Sequence, residues 1–272
     1  MRQTLGYPLT RRRLDVELVR RGLVESRTAA ALAIEQGRVK VAGAATPRAA
    51  TLVDSGTGVS IGQGGPKYVS RGGLKLERAL DQFEVAVEGR RAIDVGASTG
   101  GFTDCLLQRG AASVVALDVG YGQLDWKVRA DARVTVIERT NIRHADAGRL
   151  GAPFDLVVAD LSFISLRTVA SALVVLGVES TDYILLVKPQ FEAGRSAVGK
   201  GGIVREDGAR LRAVSDTIAG LAEAGLGAVA VEPSPILGAR GNREILGFFR
   251  LGVATVDPAK VKEAASMNEA AS

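Results

Sequence analysis

The 272-residue sequence holds one cysteine, Cys105, and one histidine, His144. One cysteine excludes an internal disulfide framework and a cysteine-rich zinc site. One histidine argues against histidine-based metal centres and against a Ser/His/Asp triad, so no metal is expected. No apolar run approaches the roughly 18 residues of a membrane span. Met1 to Arg13 is basic but has no apolar stretch, so it does not read as a secretory signal. A reducing, cytoplasmic compartment and no membrane partner are the expectation.

Acidic residues are scarce at the front. Residues 1–78 carry 14 Lys/Arg against 6 Asp/Glu, whereas residues 79–272 carry 21 against 24, within an overall net charge of +5. A basic front end on a near-neutral body suggests a docked polyanion. Hydrophobic residues make up 46%, enough for one large domain and a small one.

Residues 1–61 read as the small domain, with a basic N-terminal extension. Leu14, Leu18 and Val19 fall at helical spacing, and Gly22 can stop that helix. Ser26 can cap a second helix, which Gly37 ends. Val39 and Val41 alternate as in a strand, and Thr51 to Ile61 reads as a strand pair. The string Arg13-Leu14-Asp15, Leu18, Gly22, Ser26-Arg27, Ala30, then Ile34, Gly37, Val39 and Val41 resembles the alpha-L RNA-binding fold. The resemblance implies a phosphate-facing surface of Arg12, Arg13, Arg20, Arg21, Arg27, Arg38 and Lys40, which would position RNA without reading its sequence. Solvated arginines on a helical hairpin are the alternative.

Residues 62–73 read as a linker, opened by the turn-prone stretch at 62–66. Residues 74–256 form the second domain. Strands are expected at 92–95, 113–118, 134–137, 154–160, 183–188, 227–232 and 244–251, with helices at 102–108, 166–176 and 207–224. Continuous apolar strands alternating with helices imply an α/β, doubly wound, mostly parallel sheet covered on both faces. Residues 257–272, rich in Ala, Lys and Glu, read as a disordered tail.

Asp94-Val95-Gly96-Ala97-Ser98-Thr99-Gly100-Gly101-Phe102 occupies the first strand-to-helix turn, where doubly wound sheets bind ligands. The glycine spacing does not fit the dinucleotide fingerprint, which sets aside a nicotinamide dehydrogenase. It resembles the D-x-G-x-x-x-G turn of class I S-adenosylmethionine methyltransferases, which implies that Asp94, Gly96, Ala97, Ser98, Thr99, Gly100 and Phe102 hold that cofactor. Asp118 closes the next strand some twenty residues on, placed to accept from ribose hydroxyls. Asn141 follows the third strand, where the same pattern puts adenine contacts; capping is the alternative for both residues.

Transfer of a methyl group to a hydroxyl requires that the hydroxyl be held in line and lose its proton. A lysine in a dry pocket can act as the base, and neighbouring carboxylates orient it. Lys75 precedes the sheet, Asp160 and Lys188 end strands, and Glu244 begins one. Charged residues at the ends of buried strands read as functional.

These four match the Lys-Asp-Lys-Glu tetrad of FtsJ-type 2′-O-methyltransferases. With Ser70 to Leu76, Asp94 to Thr103, Ala159 to Leu166 and Val187 to Glu192 in order, the chain from about Arg12 to Leu251 resembles the TlyA family, whose members often carry a haemolysin name. The resemblance implies S-adenosylmethionine-dependent methylation of a ribose 2′-hydroxyl, at cytidines of 23S and in some members 16S ribosomal RNA, with the RNA or a ribosomal subunit as partner. Lys188 would be the base or steer the hydroxyl, with Asp160 orienting it beside the cofactor. Lys75 and Glu244 would position the ribose. Arg71 would contact RNA, and Phe163 would stack on a flipped base or pack in the core. Ser196 to Glu206 reads as a mobile basic loop that closes over RNA, or as an ordinary connection. Cys105 reads as packed and His144 as part of a helix start. Two rivals are a membrane-active haemolysin, which needs an apolar span or stripe, and a non-catalytic ribosome-assembly factor, which has no need of buried lysines.

Overall fold

The structure is a computed structural model. It describes residues 11–35, 37–45, 49–62, 67–194, 197–199, 201–238 and 240–266. The chain divides between Arg71 and Gly72 into two compact units.

The small unit runs β1 (Arg12–Arg13), α1 (Leu14–Arg20), α2 (Arg27–Glu35), β2 (Val39–Val41), β3 (Ala44–Ala45), β4 (Leu52–Val53) and β5 (Val59–Ile61). Leu14 and Leu18 of α1 meet Ala30, Ala33 and Ile34 of α2 over Val39 and Val53. The strand pair expected within 51–61 does not form as a hairpin. Instead β4 pairs antiparallel with β1, and β5 pairs antiparallel with β2. The Asp54 carboxylate accepts from Gly56 N and Thr57 Oγ1, turning the chain between two strands that each have another partner.

Two acids in α1 are buried, Asp15 and Glu17. Asp15 accepts from Arg13 at 3.0 and 3.1 Å and from Arg27 Nη2 at 3.0 Å. Glu17 accepts from Arg20 Nε at 2.7 Å and from Arg21 Nε at 2.8 Å. The hydrogen bonds from Arg13 and Arg20, respectively, hold both carboxyls down at about 2, against desolvation.

The large unit opens with α3 (Gly72–Gln82), which buries Leu76, Ala79 and Leu80 at helical spacing. The linker therefore ends earlier than expected, because Gly72 and Gly73 already belong to this helix. Residues 63–66 of the expected linker lie outside the described residues. The unit continues with β6 (Arg91–Val95), α4 (Gly101–Gln108), β7 (Ser113–Leu117), α5 (Trp126–Arg129) and β8 (Val134–Ile137). A single 3-10 turn at Ile142–His144, α6 (Ala147–Leu150), β9 (Leu156–Ala159), α7 (Leu166–Val174) and β10 (Asp182–Val187) follow. The remaining elements are α8 (Pro189–Glu192), α9 (Asp207–Glu223), β11 (Leu226–Pro233), β12 (Ile245–Leu251) and α10 (Pro258–Ser266).

The seven-stranded sheet has the order β11-β12-β10-β9-β6-β7-β8. β10, β9, β6, β7 and β8 are mutually parallel, while β12 runs antiparallel to both β10 and β11. From β6 the chain moves outward to β7 and β8, then returns to the other side of β6 as β9. The order therefore reverses between β6 and β9, the place where such sheets open a ligand crevice.

The tail expectation is corrected for residues 258–266. They form α10, with Val261, Ala264 and Ala265 buried in the main core. Those positions are one helical stripe of small apolar residues, which a composition rich in Ala, Lys and Glu hides. Buried Arg210 donates from Nε to Ala265 O at 2.9 Å, tying α9 to the last turn of α10. Residues 267–272 lie outside the described residues.

Glu17→Ala removes the acceptor shared by Arg20 and Arg21. It is expected to cost the small unit roughly 1–3 kcal/mol at neutral pH, measured by urea unfolding followed by circular dichroism. The Glu17 carboxyl titrates lower when folded than when unfolded. Its contribution is thus present above about pH 4.5 and lost as pH falls toward about 2, so the difference between variant and wild type should shrink on acidification.

Candidate active site

The carboxyl edge of the parallel strands gathers the expected tetrad. Asp160 follows β9, Lys188 follows β10, and Glu244 precedes β12, whose Ile245 is in register with Val187. The antiparallel run of β12 is what brings Glu244 to that edge. Lys75 reaches in from α3. Lys75 Nζ donates to Glu244 Oε2 at 2.6 Å and lies 4.0 Å from Asp160 Oδ2. Lys188 Nζ lies 2.5 Å from Asp160 Oδ1 and donates to Ser162 Oγ at 3.0 Å. The Lys188–Asp160 contact is an ion pair outside hydrogen-bonding angles, so Oδ1 keeps no directed bond. Lys75 and Lys188 are each 8% exposed and Glu244 3%. Buried charges of this kind persist only when paired, and the chain Lys188–Asp160–Lys75–Glu244 sums to zero.

Sequence reasoning missed the supports of this chain. Gln190 Nε2 donates to Glu244 Oε1 at 3.3 Å. Gly238 lies so close that a Cβ there would stand 2.3 Å from Glu244 Oε1. Buried Glu192 accepts from Ser165 Oγ at 2.5 Å and Leu166 N at 2.8 Å, which locks the segment after β10 to the start of α7. A glutamine, a serine and a glycine carry no pattern that singles them out before the loops are folded together.

The glycine turn lies beside the tetrad. Gly96 has φ +89°, and a Cβ there would come within 3.0 Å of the Asp160 carbonyl oxygen. Only glycine lets the turn after β6 approach the end of β9 this closely. Asp118, after β7, accepts from Ser98 N at 2.8 Å and Gly120 N at 2.6 Å, leaving each oxygen capacity for a further donor. An open, shallow cleft beside it is lined by Ala97, Ser98, Asp118 and Val136, and also by Gln123, Leu124 and Glu138, which the sequence did not single out. Small residues, open backbone and a carboxylate for a diol fit the amino-acid and ribose parts of S-adenosylmethionine.

Of the residues expected at the cofactor, Ala97, Ser98 and Asp118 line this cleft and the others do not. Asp94 is fully buried under the turn, where its Oδ2 accepts from Thr103 N at 2.9 Å and Thr103 Oγ1 at 2.7 Å. Phe102 is buried in α4. Both shape the turn from below, because a short turn between strand and helix needs a packed floor. Gly100 is buried with φ +93° against Leu124. Thr99 is exposed on the turn. Asn141 is exposed, and its Oδ1 accepts from Arg143 N, so it caps the 3-10 turn. His144 ends that turn and Cys105 is buried.

A family model for FtsJ-like methyltransferases matches residues 68–250, and one for the S4 domain matches residues 12–57. The chain is 49% identical to the 16S/23S rRNA (cytidine-2′-O)-methyltransferase TlyA of Mycobacterium tuberculosis, over 88% of this chain and 90% of that one. The chain belongs to the TlyA family of FtsJ-like methyltransferases. It is 40% identical to Hemolysin A of Brachyspira hyodysenteriae, covering 87% of this chain and 99% of that one. A solved structure from Streptococcus thermophilus, described as a hemolysin candidate, superposes with a TM-score of 0.73 at 38% identity, over 95% of each chain.

Within the S4 domain of this TlyA-family chain, Arg13 and Arg27 share Asp15, and Arg20 shares Glu17 with Arg21. Arg21 also donates to the carbonyls of Thr57 at 2.8 Å and Asp54 at 3.0 Å, so its guanidinium is engaged in the fold. Arg12, Arg38 and Arg71 are half-buried, and Lys40 is exposed. In the methyltransferase domain Phe163 is 89% exposed, which excludes core packing, with its ring centroid 5.3 Å from that of Phe191. The loop expected to be mobile is anchored in its inner part. Asn242 Oδ1 accepts from Val204 N at 3.0 Å, and its Nδ2 donates to Gly202 O at 2.8 Å. Ser196 and Lys200 of that loop lie outside the described residues.

Burial, then the nearby Asp160 and Asp118 carboxylates, push the Asp94 carboxyl up to about 7, against the Thr103 hydrogen bonds. A group raised on folding stabilises fully below its unfolded value near 4, and that stabilisation is lost as pH rises through about 7. Asp94→Asn keeps an oxygen for Thr103 without the charge. Its stability relative to wild type is expected to rise between pH 4 and 8, measured by denaturant unfolding across that range; a constant difference refutes this.

Proposed function

We propose that the protein transfers a methyl group from S-adenosylmethionine to the ribose 2′-hydroxyl of a cytidine in 23S ribosomal RNA, and in 16S ribosomal RNA as well. The observation that carries this reading is the neutral, buried Lys188–Asp160–Lys75–Glu244 chain, set against the Gly96 turn. The M. tuberculosis relative has the same specificity in its name.

The cleft of Ala97, Ser98 and Asp118 would hold the cofactor, and Gly96 sets the turn against Asp160. Bound there, S-adenosylmethionine supplies a methyl group made electrophilic by the sulfonium. Lys188 steers the 2′-hydroxyl through Nζ, with Asp160 paired to its ammonium, and takes the hydroxyl proton after giving one of its own to solvent. Ser162 Oγ and the Phe191 ring, 5.8 Å away, restrict where Nζ sits. Lys75, fixed by Glu244, holds the other oxygen of Asp160 and lines the ribose site. Phe163 stacks on the extruded base. Arg12, Arg13, Arg20, Arg27, Arg38, Lys40 and Arg71 supply phosphate contacts to a substrate that we take to be ribosomal RNA or a ribosomal subunit, met in the cytoplasm. Among the described residues no helix is long and apolar enough to cross a membrane. A binding-only assembly factor would gain nothing from two buried lysines at a cofactor turn.

The test is transfer of labelled methyl to isolated 30S and 50S subunits from an unmodified strain, followed by nucleoside analysis. Label in 2′-O-methylcytidine is expected, reduced about 10²–10⁴-fold by Lys188→Ala. No label on either subunit or on free ribosomal RNA refutes the assignment.

A further inference from the structure

The four most exposed large apolar side chains among the described residues are Phe163 at 89%, Trp126 at 72%, Tyr121 at 68% and Val119 at 67%. Phe163 follows β9, and the other three follow β7, so all four stand at the carboxyl edge that bears the tetrad and the cofactor cleft. The segment that carries Val119, Tyr121 and Trp126 is tied down along its length. Gly120 N donates to Asp118, Gly122 N to Glu138 Oε1 at 2.9 Å, and Asp125 N to Thr99 O at 3.2 Å. Leu124 between them is buried against Gly100. An anchored backbone that holds two aromatic rings out into water is preorganised for a partner.

Cations accompany the rings. The Arg139 guanidinium lies 4.2 Å from the Tyr121 centroid, and Lys127 Nζ lies 5.9 Å from that of Trp126. Nearby acids are already committed: Asp131 to Arg133, Glu138 to Arg129, and Asp125 to the start of α5. Lys127, Arg139 and Arg143 have no ion-pair partner among the described residues. Aromatic faces interleaved with uncompensated cations suit stacked bases and their phosphates.

We infer that Tyr121 and Trp126, with Lys127 and Arg139, form a second stacking platform that grips single-stranded nucleotides of the RNA substrate beside the extruded base. The inference rests on the proposed reaction and adds to it a surface outside the S4 domain.

Trp126 is the one tryptophan of the sequence, so intrinsic tryptophan fluorescence of the full chain reports on this site. A protein-free 23S ribosomal RNA transcript is expected to quench it, and heparin, a polyanion without bases, is not. Trp126→Ala should raise the KM for RNA about tenfold and leave the KM for S-adenosylmethionine unchanged, while Trp126→Phe should restore most of the loss. Equal quenching by heparin, or no quenching by RNA that the protein methylates, overturns the platform. So does a Trp126→Ala effect confined to the cofactor KM, or one seen on whole 50S subunits but not on free RNA, which would point to a ribosomal protein. Absence of methyl transfer by the wild type to any ribosomal RNA would instead refute the underlying reaction, and the fluorescence comparison would still score the platform.

Discussion

The large unit depends on pairing charge where its sheet leaves no water to do so. Five parallel strands run the same way, and Asp160 and Lys188 stand just past the ends of two neighbouring ones. A lone lysine at the end of such a strand is costly. Lys188 and Lys75 are held there by Asp160 and Glu244, and Glu244 is in turn held by Gln190. The antiparallel turn of β12 is integral to this balance, because it delivers Glu244 to an edge otherwise reached only by strand ends. The close approach of Gly96 to Asp160 then joins the charge chain to the glycine turn through one backbone contact.

The same economy governs the small unit at a lower degree of burial. Asp15 and Glu17 sit inside, and their arginine partners reach outward. A guanidinium held by a carboxylate on one edge still has N–H groups on its other edge, so pairing orders the forks without exhausting them. Arg21 marks the limit of this arrangement, since the carbonyls of Thr57 and Asp54 take what Glu17 leaves. The basic front end is therefore less a cloud of charge than a set of aimed donors.

Exposed aromatics complete the picture of an edge made for a large polar partner. Tyr121 and Trp126 stand on the anchored segment after β7 and at the start of α5, and Phe163 stands after β9. Rigid rings lose little freedom on contact, which suits recognition of bases that must first be drawn from their own stack.

The alternation of buried strands and helices, the glycine turn with its following acid, and the four charged residues of the tetrad were all legible in the sequence, because each rests on local spacing or on a motif contiguous in the chain. The S4 pattern was legible for the same reason. What depends on contacts between distant segments was not. No periodicity distinguishes Asp94, which holds the turn from beneath, from Asp118, which faces the cleft; burial alone separates them. Sequence placed two strands in 51–61 but not their partners, since strand pairing is decided by which edges remain free. Composition disguised α10, whose small apolar stripe has meaning only against the core it covers. Tertiary structure alone decided that Ser162, Gln190 and Gly238 support the tetrad, because a polar side chain acquires a role only from the charge that folding sets beside it.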